Sequence, residues 1–343
     1  MTMNAGCDGA PSTAAPPQAT KTPSQRNPYV FIVGAARSGT TLVQRLLDAH
    51  PMLAVVNETY WVPRKFRERN GLTRDGHVTG ALIEKLMASP KFDRIGLSFD
   101  DLTRLIPSDV AITYDRYVSS LFDLYATRRG KPLAGDKSPG YVRRIAQLHE
   151  LLPSARFVHV IRDPRDLCLS MLEWSGGENT AGQFGTWAED PVTSSALYWR
   201  LSVGLGRQSG AQLGGDIYHE VRYENLVASP ESTVIRLCTF LGIPYDPCMT
   251  RYHEGKTRIK PGRSSKAQWL PVTPGLRNWT DQLPVQDVER IETVTGDLMA
   301  DVGYRCCIAQ GAPRPIVSEH VARIKATFTA AAQRSDRPLP QIW

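Results

Sequence analysis

The chain is 343 residues long, with 41 Lys and Arg against 34 Asp and Glu and 41% hydrophobic residues. That length suits one large domain or two, with ample apolar material for a core. The net charge of +7 suits an anionic ligand, but Lys and Arg are spread along the chain without an aromatic-interleaved basic stripe, which argues against nucleic acid.

The six cysteines (Cys7, Cys168, Cys238, Cys248, Cys306 and Cys307) form no Cys-x-x-Cys pair and have no His partner at metal spacing. No metal is therefore expected, and a reducing cytoplasm is the expected setting. Cys168 and Cys238 sit in apolar helical contexts as buried thiols do, and the vicinal Cys306-Cys307 falls at a surface turn. Residues 1–28, rich in Ala, Pro, Thr, Ser and Gln, lack the apolar run of a signal peptide and read as a disordered tail. No membrane segment is evident.

Along the chain, strand and helix signals alternate. Tyr29-Val30-Phe31-Ile32-Val33 reads as a buried parallel strand. A glycine turn follows, and then Leu42, Val43, Leu46 and Leu47 recur at helical spacing until His50-Pro51. Leu53-Ala54-Val55-Val56 is a short strand ending at Asn57-Glu58-Thr59. Residues 62–130 are mostly helical, with Leu82, Ile83, Leu86 and Met87 on one face and Tyr117, Leu121, Leu124 and Tyr125 on another. A helix over 141–152 leads into the strand Arg156–Ile161. A glycine-rich loop, 175–190, precedes a helix over 193–206; then come a strand over 217–221 and a helix over 231–241 ending at Gly242. Thr295-Gly296 is expected to interrupt an amphipathic helix over 284–302. The segment 310–343 opens on Gly and Pro, carries a helical stretch over 317–332, and reads as an appended arm on the domain (29–309) or on a partner subunit. This alternation implies an α/β domain with a parallel sheet flanked by helices, and ligands at the C-terminal strand ends.

Two such ends carry chemistry. Gly34-Ala35-Ala36-Arg37-Ser38-Gly39-Thr40-Thr41 has the glycine spacing of a Walker loop, but Thr40 stands where the Lys should be, and the cation moves to Arg37 inside the loop. Strand, turn and helix N-terminus together offer backbone N–H groups to a phosphate without the usual grip on a triphosphate. At the second end, Arg162-Asp163-Pro164-Arg165-Asp166 leaves the strand, and Ser170 lies two turns into the next helix. A forked guanidinium and a hydroxyl from two elements suit one phosphate. A phosphate loop of a kinase, and an Arg-Asp pair at a strand edge, are the alternative readings.

These two motifs resemble the phosphate-binding segments of sulfotransferases that use 3′-phosphoadenosine 5′-phosphosulfate (PAPS), in the branch holding tyrosylprotein sulfotransferases and bacterial relatives. The resemblance runs from about Tyr29 to Tyr304. It implies that Arg37, Ser38, Gly39, Thr40 and Thr41 hold the 5′-phosphosulfate and that Arg162 and Ser170 hold the 3′-phosphate. Arg222-Tyr223-Glu224-Asn225-Leu226 is similar to a segment whose Tyr touches the adenine end. Arg263-Ser264-Ser265-Lys266 is similar to a late loop that closes over the cofactor, with Ser264 on the phosphosulfate. The spacing to Leu276-Arg277-Asn278-Trp279 differs by about one residue from the family pattern, and Arg277 enters as a phosphate ligand by that likeness. Glu58 falls where the family carries its base, with Asn57 replacing a second Glu, and Lys137 in Gly135-Asp136-Lys137-Ser138-Pro139 falls where a Lys stabilises the leaving oxygen.

The expectation is a PAPS-dependent sulfotransferase that sulfates a hydroxyl of a small or medium-sized acceptor. Glu58 acts as base, Arg37, Lys137 and Ser264 stabilise the leaving phosphate, and homo-oligomerisation through the C-terminal arm is possible. A P-loop kinase and a nucleotide-binding module without activity are the alternatives. Trp174 replaces an Arg often found in the 3′-phosphate helix. Tyr60, Trp61, Phe66, Phe99, Trp174, Phe184 and Trp187 are candidates for either an acceptor pocket or the core. His149 and His159 are the reserve bases.

Overall fold

The structure, a computed structural model, describes residues 28–107, 109–254, 270–275, 277–307 and 315–335. Ser264 and Lys266 lie outside the described residues, as do 1–27 and both ends of the segment 310–343.

Five strands, β1 (Val30–Gly34), β2 (Leu53–Asn57), β3 (Leu133–Lys137), β4 (Arg156–Ile161) and β5 (Tyr218–Arg222), form one parallel sheet in the order β2-β3-β1-β4-β5. The α/β architecture with a helix-flanked parallel sheet is thus as the alternation implied. Side-chain alternation along β1 sorts two of the cores. Phe31 and Val33 pack with residues of the 61–152 segment, whereas Val30 and Ile32 pack against the helices Thr40–Asp48 and Pro230–Leu241. A third core joins the helices Pro164–Leu172, Pro191–Leu213, Val285–Asp301 and Pro315–Ser335. Among the described residues, no helix is long and apolar enough to cross a membrane.

Five elements depart from the sequence expectation, the first being β3, Leu-Ala-Gly-Asp-Lys, an unexpected strand without a β-branched residue. The helix expected over 193–206 runs Pro191–Leu213, with Asp190 capping it through bonds from the Val192 and Thr193 amides (3.0 and 2.9 Å). Its glycines let aromatic rings approach: a Cβ at Gly206 would lie 2.5 Å from His159, and one at Gly210 would lie 2.3 Å from Tyr218. Thr295-Gly296 does not interrupt Val285–Asp301, because Thr295 donates back to the Ile291 carbonyl (2.7 Å) and buried Ile291, Val294 and Met299 hold the helix down. The glycine-rich 175–190 stretch holds two short turns, Gly177–Thr180 and Gly182–Phe184. The helix expected over 141–152 begins as a 3₁₀ turn, Pro139–Arg144, and turns α-helical only at Ile145–Leu151.

Candidate active site

The chain leaves central β1 toward β2 on one side and reaches β4 on the other, so a crevice opens over the C-terminal end of β1. Residues 35–39 occupy it. Gly34 lies so close to β4 that a Cβ would sit 2.5 Å from the Val160 carbonyl oxygen, and one at Gly39, where φ is +94°, would sit 2.4 Å from the Tyr223 ring. Gly39 is the N-cap of Thr40–Asp48, and no side chain caps that helix, which leaves its first-turn amides for an external acceptor. Arg37 is held in left-handed backbone (φ 74°), a conformation that costs about 1 kcal/mol or more in a non-glycine residue. Its Nε donates to Ser170 Oγ at 2.9 Å, and its guanidinium lies 5.2 Å from the Trp174 ring centre.

Two further guanidiniums converge there. Arg162, at the end of β4, donates to the Arg37 carbonyl (3.3 Å) and lies 4.6 Å from the Tyr223 ring centre. Arg277 arrives from the far end of the chain and pairs with Glu173 at 2.8 Å. Burial, and then the fields of Arg277 and Arg162, lower the Arg37 guanidinium to about 10. Ser38 Oγ and the Nε atoms of Arg162 and Arg277 are buried without a hydrogen-bond partner. Uncompensated buried donors beside mutually repelling cations are what an anionic ligand would relieve.

Across the cleft, strand register creates the second constellation. β2 pairs Asn57 with Lys137 of β3, so the next residue, Glu58, donates its amide to the Lys137 carbonyl (2.7 Å). Glu58 and Tyr60 both adopt left-handed backbone, φ 55° and 57°. Fully buried Lys137 donates its Nζ to Glu58 Oε1 at 2.6 Å and to Thr41 Oγ1 at 3.1 Å. Arg94, from the 3₁₀ turn Phe92–Ile95, donates to the Asn57 carbonyl (3.2 Å) and lies 3.5 Å from Glu58 Oε2. Burial raises the Glu58 carboxyl, but the Lys137 charge and hydrogen bond, aided by Arg94, outweigh it and hold the group below its ordinary value. Burial lowers Lys137, with Glu58 opposing. Beside them, Asp136 is fully buried and accepts bonds from Thr59 and, at 2.7 Å, Ser138. Burial raises it to about 6 despite these bonds and Lys137.

One cleft of about 450 Å³ connects the two constellations. Arg37, Gly39, Thr40, Thr41, Glu58, Arg162, Ser170, Tyr223 and Arg277 line it, while Ser38 and Lys137 are buried behind the lining. Of the aromatic candidates, Tyr60 and Trp174 line the cleft. Trp61 and Phe184 are core, Phe66 and Trp187 pack at its margin, and Phe99 is exposed. Neither reserve histidine lines the cleft. His159 is buried against the Tyr218 hydroxyl (2.5 Å), and burial lowers it to about 3. Asp163 caps Pro164–Leu172 and is held by Arg165 at 2.6 Å rather than by Arg162. The Tyr198 hydroxyl accepts from the Ala36 amide (3.1 Å). Sequence reasoning missed this contact, as it missed Arg94 and the cleft-lining Arg45 and Tyr252. Arg94 carries no local signal, since its tie to Glu58 spans 36 residues.

A Sulfotransferase family model matches residues 28–247. Protein-tyrosine sulfotransferase 1 of Danio rerio is 26% identical over 310 residues, covering 87% of this chain and 79% of that protein. Nodulation protein NoeE of Sinorhizobium fredii is 25% identical over 302 residues, covering 80% of this chain and 65% of that protein. The sulfotransferase domain from the curacin biosynthetic pathway shares the fold, with a TM-score of 0.56 at 20% identity over 82% of this chain and 99% of its own. A family match over most of the chain makes this protein a member of the sulfotransferase family.

Proposed function

We propose that the chain transfers the sulfuryl group of PAPS to a hydroxyl of a small or medium-sized acceptor, releasing 3′-phosphoadenosine 5′-phosphate (PAP), without a metal. The observation that carries this reading is the bridge from Glu58 through Lys137 Nζ to Thr41, which ties a carboxylate to the first turn of the helix behind the phosphate loop (2.6 and 3.1 Å). The similarity to protein-tyrosine sulfotransferases supports it. The residues also fit the nucleotide, because Ser38 Oγ and the Nε atoms of Arg162 and Arg277 are buried without partners and a Cβ at Gly39 would run into Tyr223.

Bound PAPS supplies an activated sulfuryl group: the acceptor oxygen bonds to sulfur as the sulfur–phosphate oxygen bond breaks. Glu58 takes the acceptor proton, and its pairing keeps it ionised at neutral pH. Lys137 and Arg37 offset charge on the leaving phosphate oxygen, a role Ser264 shares by family resemblance. Arg162 and Ser170 hold the 3′-phosphate, Ser38, Thr40 and Thr41 the 5′-phosphate, and Tyr223 the adenine end, with Lys266 and Arg277 on the phosphates. Ser170 must then exchange its bond from Arg37 for the nucleotide. A kinase has less support, because Thr40 replaces the Walker Lys and Asp163 is committed to Arg165 and a helix cap.

Calorimetry with PAP, AMP and ATP, with and without Mg²⁺, tests this reading. PAP should bind far more tightly than AMP, and without a metal. Equal affinity for PAP and AMP would sink the proposal, and strict Mg²⁺ dependence would favour the kinase. A metabolite screen for a sulfate mass gain then identifies the acceptor.

A further inference from the structure

The helix Pro315–Ser335 lies beyond residues 28–247, the stretch matched by the family model. It nevertheless buries Val321, Ile324, Phe328 and Ala332, a stripe at helical spacing, in the same core as the Pro191–Leu213 helix. Besides the helices Pro191–Leu213 and Val285–Asp301, it touches the turn Gly182–Phe184, within the segment 177–190 whose Asn179, Thr180 and Gln183 line the cleft.

The helix holds that segment at two places. In the middle, Phe328 packs on Phe184 with ring centres 4.2 Å apart, and the Arg143 guanidinium lies 5.8 Å from the centre of the Phe184 ring. Phe184 directly follows Gln183, and Arg143 also lines the cleft. At the end, His320 Nε2 lies 2.7 Å from Asp190 Oδ2, which Arg290 reaches at 3.0 Å, and Arg323 pairs with Glu189. Asp190 caps the helix carrying Tyr198, which lines the cleft and holds the Ala36 amide. The same wall lies on the Glu58 side: a Cβ at Gly140, three residues before Arg143, would lie 3.5 Å from the Tyr60 ring.

We propose that the helix Pro315–Ser335 sets the shape of the acceptor end of the cleft, with Phe328 and His320 as positioning residues that act through Phe184 and Asp190. Acceptor choice in this chain is then governed in part from outside the family-matched region. This inference rests on the reading of the cleft as a sulfuryl-transfer site for one point only, the identity of that end as the acceptor end.

Hydrogen exchange on the full chain saturated with PAP tests it, in wild type, Phe328→Ala and Phe328→Leu. In Phe328→Ala, amides of 177–190 should exchange about tenfold faster or more, while 30–41 and 156–172 keep their protection and PAP affinity stays within about twofold. Phe328→Leu should restore most of the protection. A uniform loss across the chain, or no change in 177–190, would overturn the proposal. His320→Ala should act on the same amides more weakly, and loss of protection elsewhere would count against it equally. With 4-nitrophenol as acceptor probe, a rise in KM with kcat little changed is expected in Phe328→Ala; an unchanged KM alongside measurable turnover would overturn the link to acceptor choice. Failure of PAP to bind wild type better than AMP would instead strike the sulfotransferase reading and leave the exchange result to stand by itself.

Discussion

At the proposed nucleotide end of the cleft, Arg37 and Ser170 meet because their segments, 34–41 and 162–170, follow the adjacent central strands β1 and β4. At the proposed acceptor end, Glu58 follows β2, Lys137 ends β3, Arg94 comes from a 3₁₀ turn, and Gln183 directly precedes Phe184, on which the helix Pro315–Ser335 packs. The first end is assembled mainly from two short contiguous stretches, with Tyr223 and Arg277 added from farther along the chain, and the second from single residues far apart in sequence. A phosphate has a fixed shape and charge, so a compact loop and helix terminus satisfy it. An acceptor has no fixed shape, and its proposed wall draws on the segment 177–190 and the helix Pro315–Ser335 packed on it. Both ends share one device: Arg37 and Glu58 are each held in left-handed backbone, a cost of the kind concentrated at functional sites.

The sharpest way to break this comparison is to remove the carboxylate charge that Lys137 links to Thr41. Glu58→Gln keeps an oxygen for Lys137 Nζ, so fold and PAP affinity should persist while turnover falls by ~10²–10⁴. The loss should be smaller for acidic phenols than for alkyl alcohols, which need more help to ionise. Lys137→Met keeps the volume of the buried side chain and should slow all acceptors alike, because it acts on the leaving oxygen. Single-turnover transfer at saturating PAPS measures both. Near-normal turnover in Glu58→Gln would place the base elsewhere, and His159 is a poor replacement, being buried away from the cleft.

At the nucleotide end the loss should appear in binding. Arg162→Ala should remove most of the preference for PAP over AMP, about 2–4 kcal/mol for an abandoned charge-assisted contact. AMP affinity should change little. A parallel loss for both nucleotides in calorimetry would assign Arg162 to the 5′-phosphate or to holding the Arg37 carbonyl.

Arg37 probes the same end with a smaller step. Arg37→Ala should lower both PAP affinity and turnover, whereas Arg37→Lys should retain most of each, since an ammonium still meets the phosphate as a point charge. Lys cannot reproduce the forked geometry, so a residual loss of about tenfold is expected. Indistinguishable Ala and Lys variants would mean that Trp174 and Ser170, rather than phosphate, are what Arg37 serves.

The same contrast explains what was legible in the sequence. The parallel α/β sheet could be read because β1, β2 and β4 are short runs rich in β-branched residues, and each proposed phosphate motif sits within about ten residues of its strand end; β3, Leu-Ala-Gly-Asp-Lys, has no β-branched residue and could not be read as a strand. Arg37, Arg162 and Ser170 inherit their places from that local grammar. Arg94 could not be read, because what brings it to Glu58 is the packing of Phe92 and Ile95 into the core, and a Lys-Phe-Asp-Arg string carries no trace of it. Helix ends were misjudged where glycine serves tertiary packing: Gly206 and Gly210 look like terminators and instead admit the His159 and Tyr218 rings. Thr295-Gly296 misled for a related reason, as burial of the flanking residues outweighs propensity.

The smallest expected effect lies on Arg94, and it separates clamping from chemistry. Glu58 sits below its ordinary value of 4.5 because Lys137 and, after it, Arg94 outweigh the upward push of burial. As a base it works only when deprotonated, so turnover falls as pH drops through its pKa in the complex. Removing Arg94 removes one of the two cations, which raises that pKa and moves the acid limb of the kcat profile to higher pH. The same depression links to folding: the Glu58 ion pairs stabilise the native state above the unfolded carboxyl pKa, and that stability is lost as pH falls through the lower folded value. Arg94→Met should shrink this contribution. Because the Arg94 side chain is 42% exposed, solvent and salt screen its field, so the limb should move by less than about one pH unit and turnover at neutral pH should fall by less than about tenfold. Lys at this position should recover part of the shift, and the difference from wild type should narrow in high salt. An acid limb that stays put in Arg94→Met, while Glu58→Gln is inactive, would leave Lys137 as the whole source of the depression and reduce Arg94 to a brace on the Asn57 and Glu58 carbonyls.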